Sequence, residues 1–212
     1  MTERNALIWG ANGGIGRAMV QALKADGWDV GAVARGAHRL DELDVPSFDA
    51  DVAREDDVAA AAMWAARELG EVSLWVYTAG DIKAKSAADT TRSEWDAVMA
   101  ANVTGAASAV RHSLPVVAAG GHMVFIGAYV ERIMLPKMAS YAAAKAALDA
   151  YVQTLAKEVR DRRITLVRAP AVETAFWDKL PFKLPRGAMS ADAVAAAVLK
   201  AYNEGQRGVL EL

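Results

Sequence analysis

The sequence predicts one α/β domain, in which helices cover both faces of a doubly wound, parallel sheet of about seven strands. Short apolar runs alternate with longer helical stretches along all 212 residues. Strands separated by helices are joined by right-handed crossovers, which make the strands parallel and place helices on both faces. No repeat, linker or low-complexity tail interrupts the pattern, so residues 1–212 are predicted to form a single domain.

The predicted strands are short apolar runs, namely 6–9, 28–33, 47–48, 72–77, 122–126, 164–167 and 208–212. The predicted helices have apolar residues at helical spacing or are rich in alanine, namely 15–26, 37–43, 54–69, 91–118, 137–160 and 191–203. Ser190 is a candidate N-cap for the last helix, and Pro115 is expected to bend or end the fourth. A short irregular excursion is predicted near 175–189, where Pro181 and Pro185 occur.

The composition argues against several classes of partner and site. Twenty-six acidic and 24 basic residues give a net charge of −2, which disfavours nucleic acid or an anionic membrane as the main partner. The absence of cysteine excludes a disulfide scaffold, thiolate chemistry and cysteine-based metal sites. The three histidines lack ligand spacing, so no metal site is predicted.

Neither a signal peptide nor a membrane span is predicted. The N-terminal residues contain no long apolar segment before a cleavage site. The uncharged stretch 112–130 is interrupted by Pro115 and by the pair Gly120-Gly121. We therefore expect a cytoplasmic protein.

A glycine-rich loop, Gly10-Ala11-Asn12-Gly13-Gly14-Ile15-Gly16, lies between the first predicted strand and the first predicted helix. Gly10 permits a tight turn, Gly14 lets the backbone approach a pyrophosphate, and Gly16 lets helix and strand pack closely. The start of the helix would then face the phosphates with its positive end. The loop therefore predicts that the chain binds a nucleotide, although a glycine-rich connection can also be a tight turn alone.

The Gly-x-x-x-Gly-x-Gly spacing and four later motifs resemble the short-chain dehydrogenase/reductase family. The motifs are Ala50-Asp51-Val52, Ala79-Gly80, Asn102-Val103-Thr104-Gly105 and Tyr141-Ala142-Ala143-Ala144-Lys145. The resemblance extends over nearly the whole chain and implies a Rossmann fold with a nicotinamide dinucleotide as cofactor. Two departures are Tyr77 and Thr78, which stand where the family has two asparagines.

The resemblance also implies which residues contact the cofactor. It places Asp51 near the adenine, and it places Val172 and Thr174 near the nicotinamide, although Ala171 replaces a glycine there. With the arginine discussed next, the predicted set is Gly10, Asn12, Gly13, Gly14, Ile15, Gly16, Arg35, Asp51, Val52, Ala79, Gly80, Tyr141, Lys145, Val172 and Thr174.

The end of the second strand predicts NADP (NADPH) as the cofactor in preference to NAD. An acidic residue there would bind both ribose hydroxyls of NAD. This chain has Ala34-Arg35 instead, with Arg39 one helical turn later. A guanidinium can bind a 2′-phosphate through two hydrogen bonds and can stack on adenine. The alternative is a solvated arginine at the end of a strand.

Tyr141 and Lys145 are the candidate catalytic pair, because residues four apart share one face of a helix. An adjacent ammonium favours the phenolate of a tyrosine that must exchange a proton near neutral pH. The resemblance implies that Lys145 also binds the nicotinamide ribose, and that Asn102 holds a water linking this lysine to solvent.

The resemblance further leads us to expect a serine thirteen residues before the tyrosine, but Ala128 occupies that position. Loss of one positioned donor costs on the order of a hundredfold or more in rate. Two hypotheses follow. The chain is an oxidoreductase that moves hydride between NADP(H) and a carbonyl or alcohol, or an activated quinonoid or C=N acceptor. Alternatively, it binds nucleotide as a regulatory or structural protein without efficient turnover.

The excursion near 175–189 coincides with the substrate lid of the family. Its large apolar residues, Phe176, Trp177, Phe182 and Met189, either contact substrate or pack the loop onto the domain, and the sequence leaves both open. The resemblance implies a small-molecule substrate as partner, and a homodimer or homotetramer formed through the two long helices. The identity of the substrate and the direction of the reaction are not predicted.

Overall fold

The computed structural model describes residues 4–212, so residues 1–3 of the predicted domain lie outside the described residues. Its helices are α1 Gly14–Ala25, α2 Glu55–Leu69, α3 Arg92–Met99, α4 Gly105–Ser113, α5 Ala139–Glu158 and α6 Ala191–Asn203. Its strands are β1 Asn5–Trp9, β2 Asp29–Ala34, β3 Ser47–Asp49, β4 Val72–Tyr77, β5 Val117–Ala128, β6 Arg163–Ala169, β7 Val172–Glu173, β8 Met189–Ser190 and β9 Gly208–Glu211.

Seven of these strands form one parallel sheet in the order β3-β2-β1-β4-β5-β6-β9. The chain moves outward from β1 in one direction and then returns to add β4 on the other side. The strand order therefore reverses between β1 and β4, and ligands of open α/β sheets bind outside the carboxyl ends of the strands at such a point. The predicted fold class is confirmed.

Apolar cores fill both faces of the sheet. One contains Ile8, Met19 and Val198, so α1 and α6 share a face. The other contains Trp75 and Phe125 beneath α2, α4 and α5. Both faces of the central strands are fully buried, which explains why these strands are continuous apolar runs.

The predicted helix over 91–118 is interrupted in its interior, which was not predicted. It ends before Pro115, as expected from that proline, and does not reach residue 118. A π-helical turn, Ala100–Thr104, separates α3 from α4. Helix α4 ends at Ser113, because Pro115 has no N–H to continue the ladder and restricts the residue before it. Residues 117–118 instead begin β5, which is longer than the predicted strand 122–126.

Other predicted elements agree closely with the structure. The short helix over 37–43 is a 3₁₀ helix with those bounds. Ser190 caps α6, since its hydroxyl accepts a hydrogen bond from the backbone N–H of Ala193 at 3.1 Å. The excursion is more ordered than predicted, because it contains a 3₁₀ turn, Ala175–Lys179, and the two-residue parallel pair of β7 and β8.

Within residues 4–212, no helix is both long enough and apolar enough to cross a membrane.

Candidate functional site

A cleft of about 1270 Å³ opens at the carboxyl ends of the strands. All residues predicted to contact the cofactor line this cleft, and so do Asn102 and Ala128. The fold therefore brings together residues that are separated by more than 160 positions in the sequence, from Gly10 to Thr174. Parallel strands cause this convergence, since their carboxyl ends all meet at one edge of the sheet.

The glycine loop after β1 is packed so tightly that side chains are excluded from it. Gly10 has a φ of +81°, and a Cβ at this position would lie 2.5 Å from the backbone nitrogen of Ala79. A Cβ on Gly16 would lie 2.3 Å from the carbonyl oxygen of Gly10. The Thr78 hydroxyl stabilises the loop by hydrogen bonding, since it lies 2.8 Å from the Trp9 carbonyl oxygen and 3.1 Å from that of Gly10. Thr78 thus joins the end of β4 to the end of β1.

Helix α1 begins in the cleft without a side-chain cap. Gly13 is its N-cap residue and supplies no side-chain oxygen to the first turn. The positive end of the helix dipole and its free N–H groups are consequently available to an anion. A Cβ on Gly14 would lie 2.4 Å from Cγ2 of Thr174, so the segment after β6 lies directly against this loop. The site fits the pyrophosphate of a dinucleotide.

The end of β2 carries the predicted phosphate-binding arginine. Arg35 is exposed at the cleft, and its Nη1 lies 3.9 Å from Oδ2 of Asp51. Asn12 holds the backbone here, since its Nδ2 donates to the carbonyl oxygens of Arg35 at 3.0 Å and Gly36 at 3.1 Å. Arg39 lines the same part of the cleft. Two guanidinium groups therefore lie at the end of β2, with one carboxylate at the edge of ion-pair distance.

The π-helical turn directs Asn102 into the protein. The side chain is fully buried, and its Nδ2 donates to the carbonyl oxygens of Asp81 at 2.7 Å and Val98 at 2.9 Å. Its Oδ1 has no hydrogen-bond partner within the described part of the chain. A Cβ on Gly80 would lie 2.7 Å from this Oδ1 and 3.8 Å from Nζ of Lys145. The amide oxygen and the ammonium therefore both lie close to Gly80, where a bridging water could satisfy the amide.

Lys145 and Tyr141 lie one turn apart on α5. The Lys145 ammonium donates to the carbonyl oxygen of Ile126 at 3.1 Å and lies 5.7 Å from the centroid of the Tyr141 ring. Burial lowers the pKa of Lys145 to about 8. Burial also raises the pKa of Tyr141 above its usual value, opposite to the lowering that we expected from the ammonium. Desolvation of the phenolate outweighs the attraction of the ammonium in this structure.

Ala128 ends β5 at the cleft, and the hydroxyls nearest to it in sequence are not available there. The Tyr129 hydroxyl donates to the carbonyl oxygen of Leu212 at 2.9 Å. Ser140 is buried and does not line the cleft. The ring of Phe176, from the excursion, lies 5.4 Å from that of Tyr141, centroid to centroid. The excursion therefore covers the predicted catalytic tyrosine with an aromatic side chain.

Sequence reasoning missed several cationic residues that line the cleft, namely Arg17, Arg132, Lys179, Lys183 and Arg186. The Arg17 guanidinium donates to the Arg39 carbonyl oxygen at 2.7 Å and to Oδ1 of Asn12 at 3.2 Å, so it braces the glycine loop. Lys179 pairs with Asp81, at 2.6 Å between Nζ and Oδ1. The clustering of Lys179, Lys183 and Arg186 in the excursion was the signal in the sequence that could have revealed these residues.

Comparisons with known proteins agree with this architecture. A family model described as short chain dehydrogenase matches residues 4–183. Nodulation protein G of Rhizobium sp. (strain N33) is 30% identical over 201 residues, which cover 90% of this chain and 82% of the relative. Two solved structures are each 27% identical with a TM-score of 0.86, covering 99% of this chain and 96% of theirs. They are an alcohol dehydrogenase from the archaeon Thermococcus sibiricus, complexed with 5-hydroxy-NADP, and a short chain dehydrogenase from Burkholderia cenocepacia J2315, in complex with NADP.

The buried ammonium of Lys145 predicts a specific dependence of stability on pH. Its pKa falls from 10.5 to about 8 on folding, so between these values the unfolded chain binds a proton that the folded chain has released. The contribution of Lys145 to the free energy of unfolding therefore rises from pH 8 to pH 10.5, and burial of the charge costs stability below pH 8.

We expect the free energy of unfolding of Lys145→Met, relative to that of the parent chain, to depend on pH. The difference between variant and parent should be more favourable to the variant at pH 7 than at pH 10, by about 2–3 kcal/mol. Urea unfolding of both proteins at the two pH values measures this difference. Tyr141 is present in both proteins, so its titration largely cancels. A difference in stability that does not change with pH would contradict the burial of a charged lysine.

Proposed function

The chain belongs to the short-chain dehydrogenase/reductase family of oxidoreductases, and on this basis we propose that it transfers hydride between NADP(H) and a small substrate. The observation that carries the proposal is the convergence of Tyr141, Lys145 and Asn102 on the cleft that the glycine loop also lines. The substrate is a carbonyl compound or alcohol, or an activated quinonoid or C=N acceptor. One fold serves many chemistries, so the reaction depends on these residues and not on the fold alone.

The residues around the cleft fit a nicotinamide dinucleotide. The uncapped start of α1 and the glycine loop would hold the pyrophosphate, and Arg35 with Arg39 would hold a 2′-phosphate. Lys145 would bind the nicotinamide ribose, and Val172 with Thr174 would contact the nicotinamide. When bound, the cofactor supplies or accepts the hydride.

Tyr141 is proposed as the acid and base of the reaction. Its raised pKa keeps the phenol protonated but makes it a weaker acid, so donation of its proton to a substrate oxygen or nitrogen needs a group that stabilises the phenolate. The ammonium of Lys145 stabilises the phenolate as the proton leaves. The free Oδ1 of Asn102 and Nζ of Lys145 would hold a water that returns the proton from solvent.

Ala128 bears on both the substrate and the second candidate function. An alanine at the end of β5 gives no hydroxyl to polarise a substrate carbonyl. This favours an acceptor that is already polarised, such as a quinonoid ring or a C=N group. It equally favours a nucleotide-binding protein without efficient turnover, which is our second candidate.

We expect Tyr141→Phe to lower kcat by about 10²- to 10⁴-fold, the contribution typical of a positioned acid or base. The affinity for NADPH should change little, because only the hydroxyl is removed. Turnover of a panel of carbonyl, quinonoid and imine compounds measures the first quantity, and calorimetry measures the second. Tyr151→Phe, on the same helix and half-buried, is the matched control.

If a panel member is turned over at an unchanged rate by Tyr141→Phe, the role of Tyr141 is refuted. If no panel member is turned over although NADPH binds, the second candidate replaces the enzyme.

We expect Arg35→Ala to weaken NADPH binding by about tenfold to a hundredfold, since hydrogen bonds to charged groups contribute about 1.5–3 kcal/mol. NADH lacks the 2′-phosphate, so its affinity should stay nearly constant. Calorimetric titration with both cofactors measures the effect, and Arg92→Ala, exposed on α3, is the control. Equal losses for NADPH and NADH would show that Arg35 has a structural role.

We expect Ala128→Ser to leave kcat unchanged or to lower it, because an activated acceptor develops no oxyanion for the new hydroxyl to stabilise. Steady-state kinetics with a plain ketone and with an activated acceptor tests this. A gain in kcat of about tenfold or more on the ketone, roughly 1.4 kcal/mol of barrier, would show that the substrate is a simple carbonyl.

A further inference from the structure

The cleft is strongly cationic although the chain has a net charge of −2. Its lining contains eight basic side chains, namely Arg17, Arg35, Arg39, Arg132, Lys145, Lys179, Lys183 and Arg186. Among residues 4–212, Asp51 is the only acidic residue in the lining. Such a cleft concentrates anions.

Five of the eight basic side chains are already in ion pairs or have a proposed role in binding the cofactor or in catalysis. Arg17 pairs with Glu42, and Lys179 pairs with Asp81. Arg35 and Arg39 lie at the end of β2, where a cofactor phosphate would bind, and Lys145 belongs to the proposed catalytic pair. Three basic side chains that line the cleft are therefore left without an ion pair or a proposed role.

The three remaining cations are Arg132, Lys183 and Arg186. No ion pair joins any of them to a carboxylate in the part of the chain that the structure describes. They lie on two segments that border the proposed catalytic residues. Arg132 follows β5 by four residues, and the other two belong to the excursion whose Phe176 covers Tyr141. A positive surface thus borders the side of the cleft where a substrate would lie.

The guanidinium of Arg132 is held in place by an aromatic ring. Its Cζ lies 3.9 Å from the centroid of the Tyr129 ring, a distance typical of a stacked cation–π contact. Tyr129 is itself only 8% exposed, and its hydroxyl is fixed on Leu212. Stacking occupies the face of the guanidinium and leaves its N–H edge free, which is the edge that binds carboxylate or phosphate.

The excursion that carries Lys183 and Arg186 is anchored at several points. Nε1 of Trp177 donates to the carbonyl oxygen of Val172 at 2.8 Å, and β8 pairs with β7. Pro185, between the two cations, restricts the backbone further. A cation on an anchored segment loses less entropy when it binds an anion.

Apolar side chains from the same two segments and from the start of α5 also line the cleft, namely Ile133, Leu135, Met138, Phe176, Leu180 and Phe182. A ligand that suits this surface has an apolar body and an anionic group. A neutral apolar ligand would gain nothing from the three exposed cations, and a small polar anion would leave the apolar lining in water.

We propose that the substrate is such an amphipathic anion, in which a carboxylate or phosphate group, separate from the reacting carbonyl or C=N group, is bound by Arg132, Lys183 and Arg186. The proposal rests on the proposed function and adds the substrate class. It needs no further cofactor, because the anionic group is bound and does not react.

Binding of simple probes tests the proposal without turnover. Benzoate, phenyl phosphate and the neutral methyl benzoate are titrated calorimetrically into protein saturated with NADP⁺, which occupies the cofactor's phosphate sites. We expect the parent chain to bind an anion at least about tenfold more tightly than the ester, a difference of about 1.4 kcal/mol. The anion that binds more tightly identifies the bound group as carboxylate or phosphate. Tighter binding of either anion than of methyl benzoate supports the proposal.

Charge-removing variants locate the site. Arg132→Gln, and separately the double variant Lys183→Gln with Arg186→Gln, should each reduce the preference for the anion while leaving the affinity for methyl benzoate unchanged. Arg67→Gln removes the same charge from an exposed position on α2 and should keep the preference. Equal binding of anions and ester by the parent chain, or a preference that survives both variants, overturns the proposal.

A kinetic comparison separates this proposal from the proposed function. With NADPH, kcat/KM for 4-carboxybenzaldehyde or 4-formylphenyl phosphate should exceed that for methyl 4-formylbenzoate, through a lower KM. Turnover without preference for the anions refutes the anion site and leaves the oxidoreductase standing. Failure of NADPH to bind refutes the oxidoreductase, whatever the probes show.

Discussion

The contact of the glycine loop with the end of β4 is the constraint on which the site depends. Neither Gly10 nor Gly16 has space for a Cβ, and the Thr78 hydroxyl closes the junction from the neighbouring strand. This contact sets where α1 begins and leaves its first turn facing the cleft without a cap. A side chain at either glycine would push the helix away from the sheet and remove the anion site together with the packing.

A second constraint places the groups that we propose to handle protons. The π-helical turn orients Asn102 so that its amide reaches two carbonyl oxygens and keeps one oxygen free near Lys145. Burial of that oxygen and of the ammonium is unfavourable for folding. π-Helical turns inside α-helices are frequent at functional sites. The stability lost here is consistent with a site that handles protons.

The sequence predicted the fold well, because alternation of apolar runs and helical stretches reflects the layered architecture directly. Ser190 and α6 were predicted correctly, since a capping hydroxyl is a local signal. The interruption of the helix over 91–118 was missed because a single extra residue in one turn barely changes apolar periodicity. The strand β5 was predicted too short because Gly120-Gly121 resembles a turn, whereas the structure accommodates it within the strand.

The candidate site was predictable only in part. Motifs located residues that line the cleft, but the pKa values of these residues depend on their burial. Burial raises the pKa of Tyr141, whereas the sequence led us to expect a lowered one. Arg132 and Arg186 are 54 positions apart, and no sequence spacing reveals that they line one cleft. The ring of Tyr129 under Arg132 is likewise a tertiary contact.

Calorimetric titration of the unaltered protein with NADPH tests the central claim most directly. The account predicts one binding site per chain with higher affinity for NADPH than for NADH, because the uncapped start of α1 and the arginines at the end of β2 act together. Absence of heat and of saturable binding with both cofactors would contradict it.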